Sequence, residues 1–247
     1  MIRVAQQSTM QVTATPPRPP AAERLGPHWS HLVTMLQRHR IDLVIDVGAN
    51  VGQYALALRA SGYHGRILSI EPVSATNSEL VRATNEGLDW IALPRMAVGA
   101  HHGNLTINVS ASSDMSSALP FTAQAQRAFA GDHVIAHEAV EVSTIDRLMT
   151  QYAAPDHRVF LKSDTQGYDL EVLRGAAGSL ERIVGVQIET SLCPTYVGQA
   201  DWRSIVDFLA PHGFDIHLVI PGYFSRAYGR LMEMDIVFFR DDGLAVN

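Results

Sequence analysis

Lys162 and Asp164 fall in the run Leu161-Lys162-Ser163-Asp164-Thr165-Gln166-Gly167, and Glu189 falls in Gln187-Ile188-Glu189-Thr190. Both runs read as the ends of adjacent buried strands. Carboxylates brought to one rim can share a proton, hold a divalent cation or accept the proton of a substrate hydroxyl. Crowded acids are costly unless a ligand, an ion or a neighbouring group compensates them. Asp164 and Glu189 are therefore candidates for a catalytic base or for ligands of Mg2+ or Mn2+, with Lys162 orienting one of them. The structural alternative is that Asp164 caps the next helix and Glu189 pairs with Lys162.

A second constellation lies earlier. In Asp46-Val47-Gly48-Ala49-Asn50-Val51-Gly52-Gln53-Tyr54 an apolar strand delivers a small-residue turn onto a helical run. α/β proteins cradle nucleotide-like ligands at such a junction. The pattern Asp-x-Gly-x-Asn-x-Gly differs from the dinucleotide fingerprint, because Asn50 stands where the second glycine would approach a pyrophosphate. It suits a ligand without phosphates that carries an amino-acid tail, with Gly48 and Gly52 allowing close backbone approach. One βα unit later, Ile70-Glu71-Pro72 ends a strand in an acid, placed to accept bonds from both hydroxyls of a ribose.

These residues need a sheet to hold them. Strands are predicted over 43–47, 66–70, 89–93, 159–163, 183–188, 215–220 and 235–240, and helices over 28–40, 54–60, 75–85, 144–151, 170–174 and 202–212. Segments 96–99 and 104–109 read as a hairpin-type excursion. Residues 110–139 read as a lid-like insertion with a short helix around 123–130. The prolines of residues 1–27 make that stretch an extended N-terminal arm, free to lie over the domain or a partner subunit. The expected fold is α/β: seven strands, mostly parallel and Rossmann-like, with helices on both faces and the last strand antiparallel. Residues 28–247 would form one domain.

Composition narrows the classes. At 247 residues, 47% apolar and 18% charged, the chain reads as an ordinary globular α/β protein without a stretch fit to span a bilayer. A net charge of −6 argues against a nucleic-acid partner and against stable attachment to anionic membrane. The start lacks a signal peptide's basic and apolar regions, and Cys193 is the single cysteine, so a cytoplasmic location is expected. His101 and His102 read as solvated turn residues. His133 and His137 lack zinc-ligand spacing, which leaves only a role as an assisting base.

Taken together, the motifs resemble the FkbM-type family of S-adenosylmethionine-dependent methyltransferases over about residues 41–240. The glycine turn is similar to the family's first motif and Ile70-Glu71-Pro72 to its ribose-binding acid. Ala97-Val98-Gly99 with Gly103, Ser116-Ser117 and Val142-Ser143-Thr144-Ile145-Asp146 follow in order. Leu161–Gly167 with Val172-Leu173-Arg174-Gly175-Ala176 is the most specific block, although Ser163 stands where the family more often has an apolar residue. The resemblance implies S-adenosylmethionine as cofactor, with Asp46, Gly48, Asn50, Gly52, Gln53, Tyr54, Glu71, Ser117 and Asp164 around it. It also implies a hydroxyl acceptor, often on a sugar or a polyketide-type natural product, and the chain is read as an O-methyltransferase with a small-molecule or oligosaccharide acceptor and a homodimer as the candidate assembly. An NAD(P)-dependent oxidoreductase of related fold and a non-catalytic module that keeps the pocket are the competing readings. Asn50 and the lack of a Tyr-x-x-x-Lys pair count against the first, and the intact rim acids against the second.

Overall fold

The computed structural model describes residues 26–84, 89–129, 131–226 and 228–241. In chain order the elements are α1 (Pro27–Arg38), β1 (Leu43–Val47), α2 (Gln53–Ala60), β2 (Arg66–Ile70), α3 (Ser74–Ala83) and β3 (Trp90–Ala92). There follow β4 (Ala97–Val98), β5 (Gly103–Ser110), α4 (Ala123–Ala128), β6 (Val134–Ser143), α5 (Ile145–Tyr152), β7 (Val159–Ser163) and α6 (Asp169–Arg174). The chain continues through β8 (Ile183–Ser191), α7 (Trp202–Leu209), β9 (Phe214–Pro221), β10 (Phe224–Ser225), β11 (Arg230–Leu231) and β12 (Glu233–Arg240).

Every residue of β1 and β7 is buried. Strands covered on both faces belong at the centre of a sheet flanked by helices, where parallel pairing through crossovers is the rule. The main sheet has the order β3-β2-β1-β7-β8-β12-β9. Its first five strands pair in parallel, and β12 runs antiparallel to both β8 and β9. The chain winds outward from β1 to β3 and then returns to β7. The switch point therefore lies between β1 and β7, where open α/β sheets bind their ligands.

Side-chain parity divides the core. Leu43, Ile45 and Val47 pack with α5, α6 and α7, while Val44, Phe160, Val237 and Phe239 pack with α1 and α2. Residues two positions along a strand share a face. Asp46, Lys162 and Asp235 thus all lie on the α1–α2 face, near the carboxyl rim of the parallel strands.

Two expectations are corrected. Segments 96–99 and 104–109 do not form a hairpin with each other. β4 pairs in parallel with β6, and β5 pairs antiparallel with β6, in a separate sheet ordered β4-β6-β5. Residues 110–139 are consequently not one lid, because 134–139 belong to a ten-residue strand. The 221–231 connection also carries the small β10–β11 pair. Asn85 and most of the N-terminal arm lie outside the described residues. Among the described residues no helix is long and apolar enough to cross a membrane.

Candidate functional site

The turn after β1 is built from its own backbone. The N–H groups of Gly48 and Ala49 both donate to the Ile70 carbonyl at 3.0 Å, and that of Asn50 donates to Glu71 Oε2 at 2.8 Å. Glu71 Oε1 accepts from the Val73 N–H and the Thr76 hydroxyl, each at 2.9 Å. Three of the carboxylate's roughly four acceptor positions are thus filled by protein, leaving about one open on Oε2. Burial raises the Glu71 pKa, opposed by the bonds from Val73, Thr76 and Asn50. Because the amides of residues 48–50 are already paired, the turn offers no ready nest for a pyrophosphate.

Gly48 and Gly52 have reasons other than ligand approach. Gly48 has φ +72°, and a Cβ there would meet the Asp164 carbonyl oxygen at 1.9 Å. Gly52 has φ +93°, and its Cβ would meet the Trp90 ring at 2.7 Å. The first lets β1 and β7 turn past each other; the second lets α2 start against β3. Both glycines are thus required by internal packing, and Gly48 also borders the cleft.

Beneath the turn runs a buried polar ladder. The Trp90 indole N–H donates to Ser69 Oγ at 2.9 Å, and that hydroxyl donates to Asp46 Oδ2 at 3.1 Å. Lys162 Nζ lies 3.2 Å from Asp46 Oδ1, 3.1 Å from the Gly48 carbonyl and 5.3 Å from the centre of the Tyr54 ring. Burial disfavours the Lys162 charge, but Asp46 and Asp164 outweigh it and raise the pKa. The Tyr54 hydroxyl donates to Gln187 Oε1 at 2.8 Å, and Gln187 donates to Asp235 at 3.2 Å. Asp46 has no exposed surface and Tyr54 has little. Neither borders the cleft, and from behind it Asp46 holds Lys162 while Tyr54 holds Gln187.

Gln166 is the hub of the rim. Its side-chain N–H2 donates to Asp164 Oδ1 at 2.9 Å and to Glu189 Oε2 at 2.7 Å, and its Oε1 accepts from the Tyr196 hydroxyl at 2.9 Å. Its own carbonyl accepts from Ser117 Oγ at 2.7 Å. Gln166 has φ +54°, and buried Asp169 sets this turn by accepting from Ser163 Oγ at 2.5 Å and from the N–H groups of Thr165 and Gly167. That bond accounts for the hydroxyl at position 163. The proximity expected of Asp164 and Glu189 is therefore present, through an amide rather than a shared proton. Asp164 caps no helix, since the N-cap of α6 is Tyr168 and it makes no side-chain cap bond. Glu189 makes no ion pair with Lys162, which lies instead 3.7 Å from Asp164 Oδ2.

The 112–117 stretch crosses the cleft as a strap. Asn50 Nδ2 lies 3.2 Å from Ser113 Oγ, the Tyr196 hydroxyl oxygen lies 3.0 Å from the Met115 carbonyl, and Ser117 is tied to Gln166. Between strap and strand ends is a cleft bordered by Glu71, Gln53, Asp164 and Ser117, with Val98 and Ile107 among its apolar walls. A carboxylate with an open position beside apolar walls fits a nucleoside. His133 and His137 are exposed at β6 and border neither this cleft nor the neighbouring cavity.

The rim is rich in unneutralised acid. Burial pushes Glu189 well above the usual carboxylate range, reinforced by Asp164, Glu233 and Asp235. Burial also raises Asp235 to about 6, with Asp164 adding to it. Asp235 is the register partner of Glu189 across β12 and β8. A hard cation needs several oxygen ligands. The Gln166 amide hydrogens occupy the space between the two acids, and among the described residues no group of three or more acids, histidines or cysteines could hold a metal ion. The expected Mg2+ or Mn2+ pairing of Asp164 with Glu189 does not fit this donor set.

Residues 46–216 match the model of the Methyltransferase FkbM domain, well over half of the chain. Among solved structures, the methyltransferase FkbM of Methylobacillus flagellatus KT is 15% identical, with a TM-score of 0.48, over 87% of this chain and 56% of that one. The present chain thus spans little more than half of that protein's length. Magnesium protoporphyrin IX methyltransferase of Synechocystis PCC 6803, solved with bound SAM, is 12% identical over 87% of this chain and 78% of its own, with a TM-score of 0.46. TrmK of M. capricolum, in complex with S-adenosyl-homocysteine, is 7% identical over 88% and 69%, with a TM-score of 0.46. Among curated proteins no sequence matches.

Proposed function

Because the chain belongs to the FkbM methyltransferase family, we propose that it is an S-adenosylmethionine-dependent O-methyltransferase acting on a sugar hydroxyl of an oligosaccharide, polysaccharide precursor or glycolipid. The observation that carries this reading is a cleft at the switch point of the sheet bordered by both Glu71 and Asp164, with Asp164 backed by Glu189 through Gln166. The cofactor would supply a methyl group activated on a sulfonium, so the protein's main task is to align two substrates and exclude water.

Each residue then has a task. Glu71 takes one ribose hydroxyl on its open Oε2 position while holding the turn. Gln53 and Asn50 border the same space, and the Asn50–Ser113 contact closes the strap over it. Asp164, with 34% of its side chain exposed and Lys162 beside it, is the group placed to accept the hydroxyl proton. Glu189, driven towards its neutral form, stays behind Gln166 and positions that amide.

The test is methyl transfer from radiolabelled S-adenosylmethionine to a panel of neutral, amino and acidic oligosaccharides. With an acceptor in hand, Asp164→Asn should lower turnover by about 10²–10⁴-fold, the usual weight of a general base. Glu189→Gln should cost less, because it removes a positioning contact. Normal turnover in Asp164→Asn would remove that residue from the chemistry.

A further inference from the structure

Next to the cofactor cleft is a second space of about 330 Å³, and Gln166 and Asp114 border both. Its walls come from distant parts of the chain. Thr122 caps α4 through the Ala125 N–H and brings Phe129 to the end of that helix. Glu233, at the start of β12, accepts from the Tyr223 N–H at 3.2 Å. The two rings meet with centroids 5.6 Å apart and planes tilted by 50°. Tyr223 keeps 44% of its surface exposed. Around these rings stand Asp114, Asp132 and Glu233, and no lysine, arginine or histidine is among the described residues that line the space.

We infer that this cavity is the acceptor subsite and that it takes a sugar ring free of anionic groups, preferring one that carries an amine. A sugar ring has an apolar C–H face that an aromatic ring can cover and hydroxyls that carboxylates can accept from. A carboxylate or phosphate on the ring would enter a space bordered by three acids with no lining cation to receive it, whereas an ammonium would relieve them. Sugar acids and sugars phosphorylated on the ring are disfavoured by the same charge. The position of Gln166 on both walls would bring the bound ring's hydroxyl to the border where Asp164 lies. The inference rests on the methyltransferase reading only in calling this ring an acceptor.

The test is calorimetric titration of the protein, with and without S-adenosylhomocysteine, by methyl glucoside, methyl glucosaminide and methyl glucuronide. The glucosaminide should bind tightest and the glucuronide at least about tenfold more weakly than the glucoside, a gap that salt narrows. Phe129→Ala should weaken all three to a similar degree, because it removes the shared apolar contact. Asp132→Asn with Glu233→Gln should bring the glucuronide close to the glucoside. Equal binding of glucoside and glucuronide by the unaltered protein overturns the inference. So does an ineffective Phe129→Ala, or a protein that binds S-adenosylhomocysteine but none of the three glycosides. Glycosides bound in the expected order by a protein that ignores S-adenosylhomocysteine would uphold the cavity and reject the methyltransferase reading instead.

Discussion

The two halves of the rim solve opposite problems. At the ends of β1 and β2 the polar groups are matched apart from one acceptor position on Glu71 Oε2: Glu71 accepts three protein donors, Asp46 has Lys162 and Ser69, and Trp90 has Ser69. At the ends of β7, β8 and β12 the acids Asp164, Glu189, Glu233 and Asp235 share two side-chain amides and one lysine. The first half is a finished cradle. In the second, burial and mutual repulsion raise the pKa of Glu189 and Asp235, the kind of perturbation that gathers at sites where a partner arrives with the substrate. Rigid matching should therefore appear as stability, and acid crowding as pH dependence.

The largest effect should come from breaking the cradle. Gly48→Val adds side-chain atoms to a backbone at φ +72° and drives Cβ towards the Asp164 carbonyl. A loss exceeding about 4 kcal/mol is expected, visible as a collapsed thermal melt or insoluble protein. A variant that melts normally and merely fails to bind S-adenosylhomocysteine would return Gly48 to the purely ligand-facing role expected from the sequence.

Next is the buried ion pair. Lys162→Met leaves Asp46 charged without exposed surface and should cost about 3–5 kcal/mol in denaturant unfolding. Adding Asp46→Asn should recover part of that loss by removing the unpaired charge. No recovery would mean that Lys162 stabilises through Asp164 and the Gly48 carbonyl instead.

The smallest effect has the opposite sign and belongs to the crowded half. Asp235 holds its proton more tightly when folded, its pKa rising from 3.8 to about 6. Its contribution to stability is greatest below the unfolded value and declines as pH rises through about 6. Asp235→Asn should therefore be close to neutral at low pH and stabilise by about 1–3 kcal/mol at pH ~8, since one pKa unit is worth about 1.4 kcal/mol. Equal effects at both pH values would show that the acids are compensated in the free protein.

The same contrast explains what could be read from the sequence. The cradle is local: strand, turn and helix are contiguous, so the apolar runs 43–47 and 66–70 coincide with β1 and β2 and the βα order leads to the switch point. Even the Asp46–Lys162 pair was implicit in strand parity once β1 and β7 are neighbours, which the register shows. The crowded half depends on contacts between remote segments. Tyr196 reaches Gln166, and Asp235 faces Glu189 only because β12 inserts between β8 and β9. Gln166 itself is uncharged, so nothing in its type announced a hub. The strand at 134–143 carries little signal in the sequence, because its first residues are mostly exposed and lack a buried alternating face.

The central claim is that the cradle at β1 and β2 binds S-adenosylmethionine through Glu71. Titration calorimetry with S-adenosylhomocysteine, on the unaltered protein and on Glu71→Ala with a melt to confirm folding, tests it directly. A charge-assisted hydrogen bond is worth roughly 1.5–3 kcal/mol, so the account predicts binding by the unaltered protein and a loss of about tenfold or more in the variant. A folded Glu71→Ala protein with unchanged affinity would contradict it.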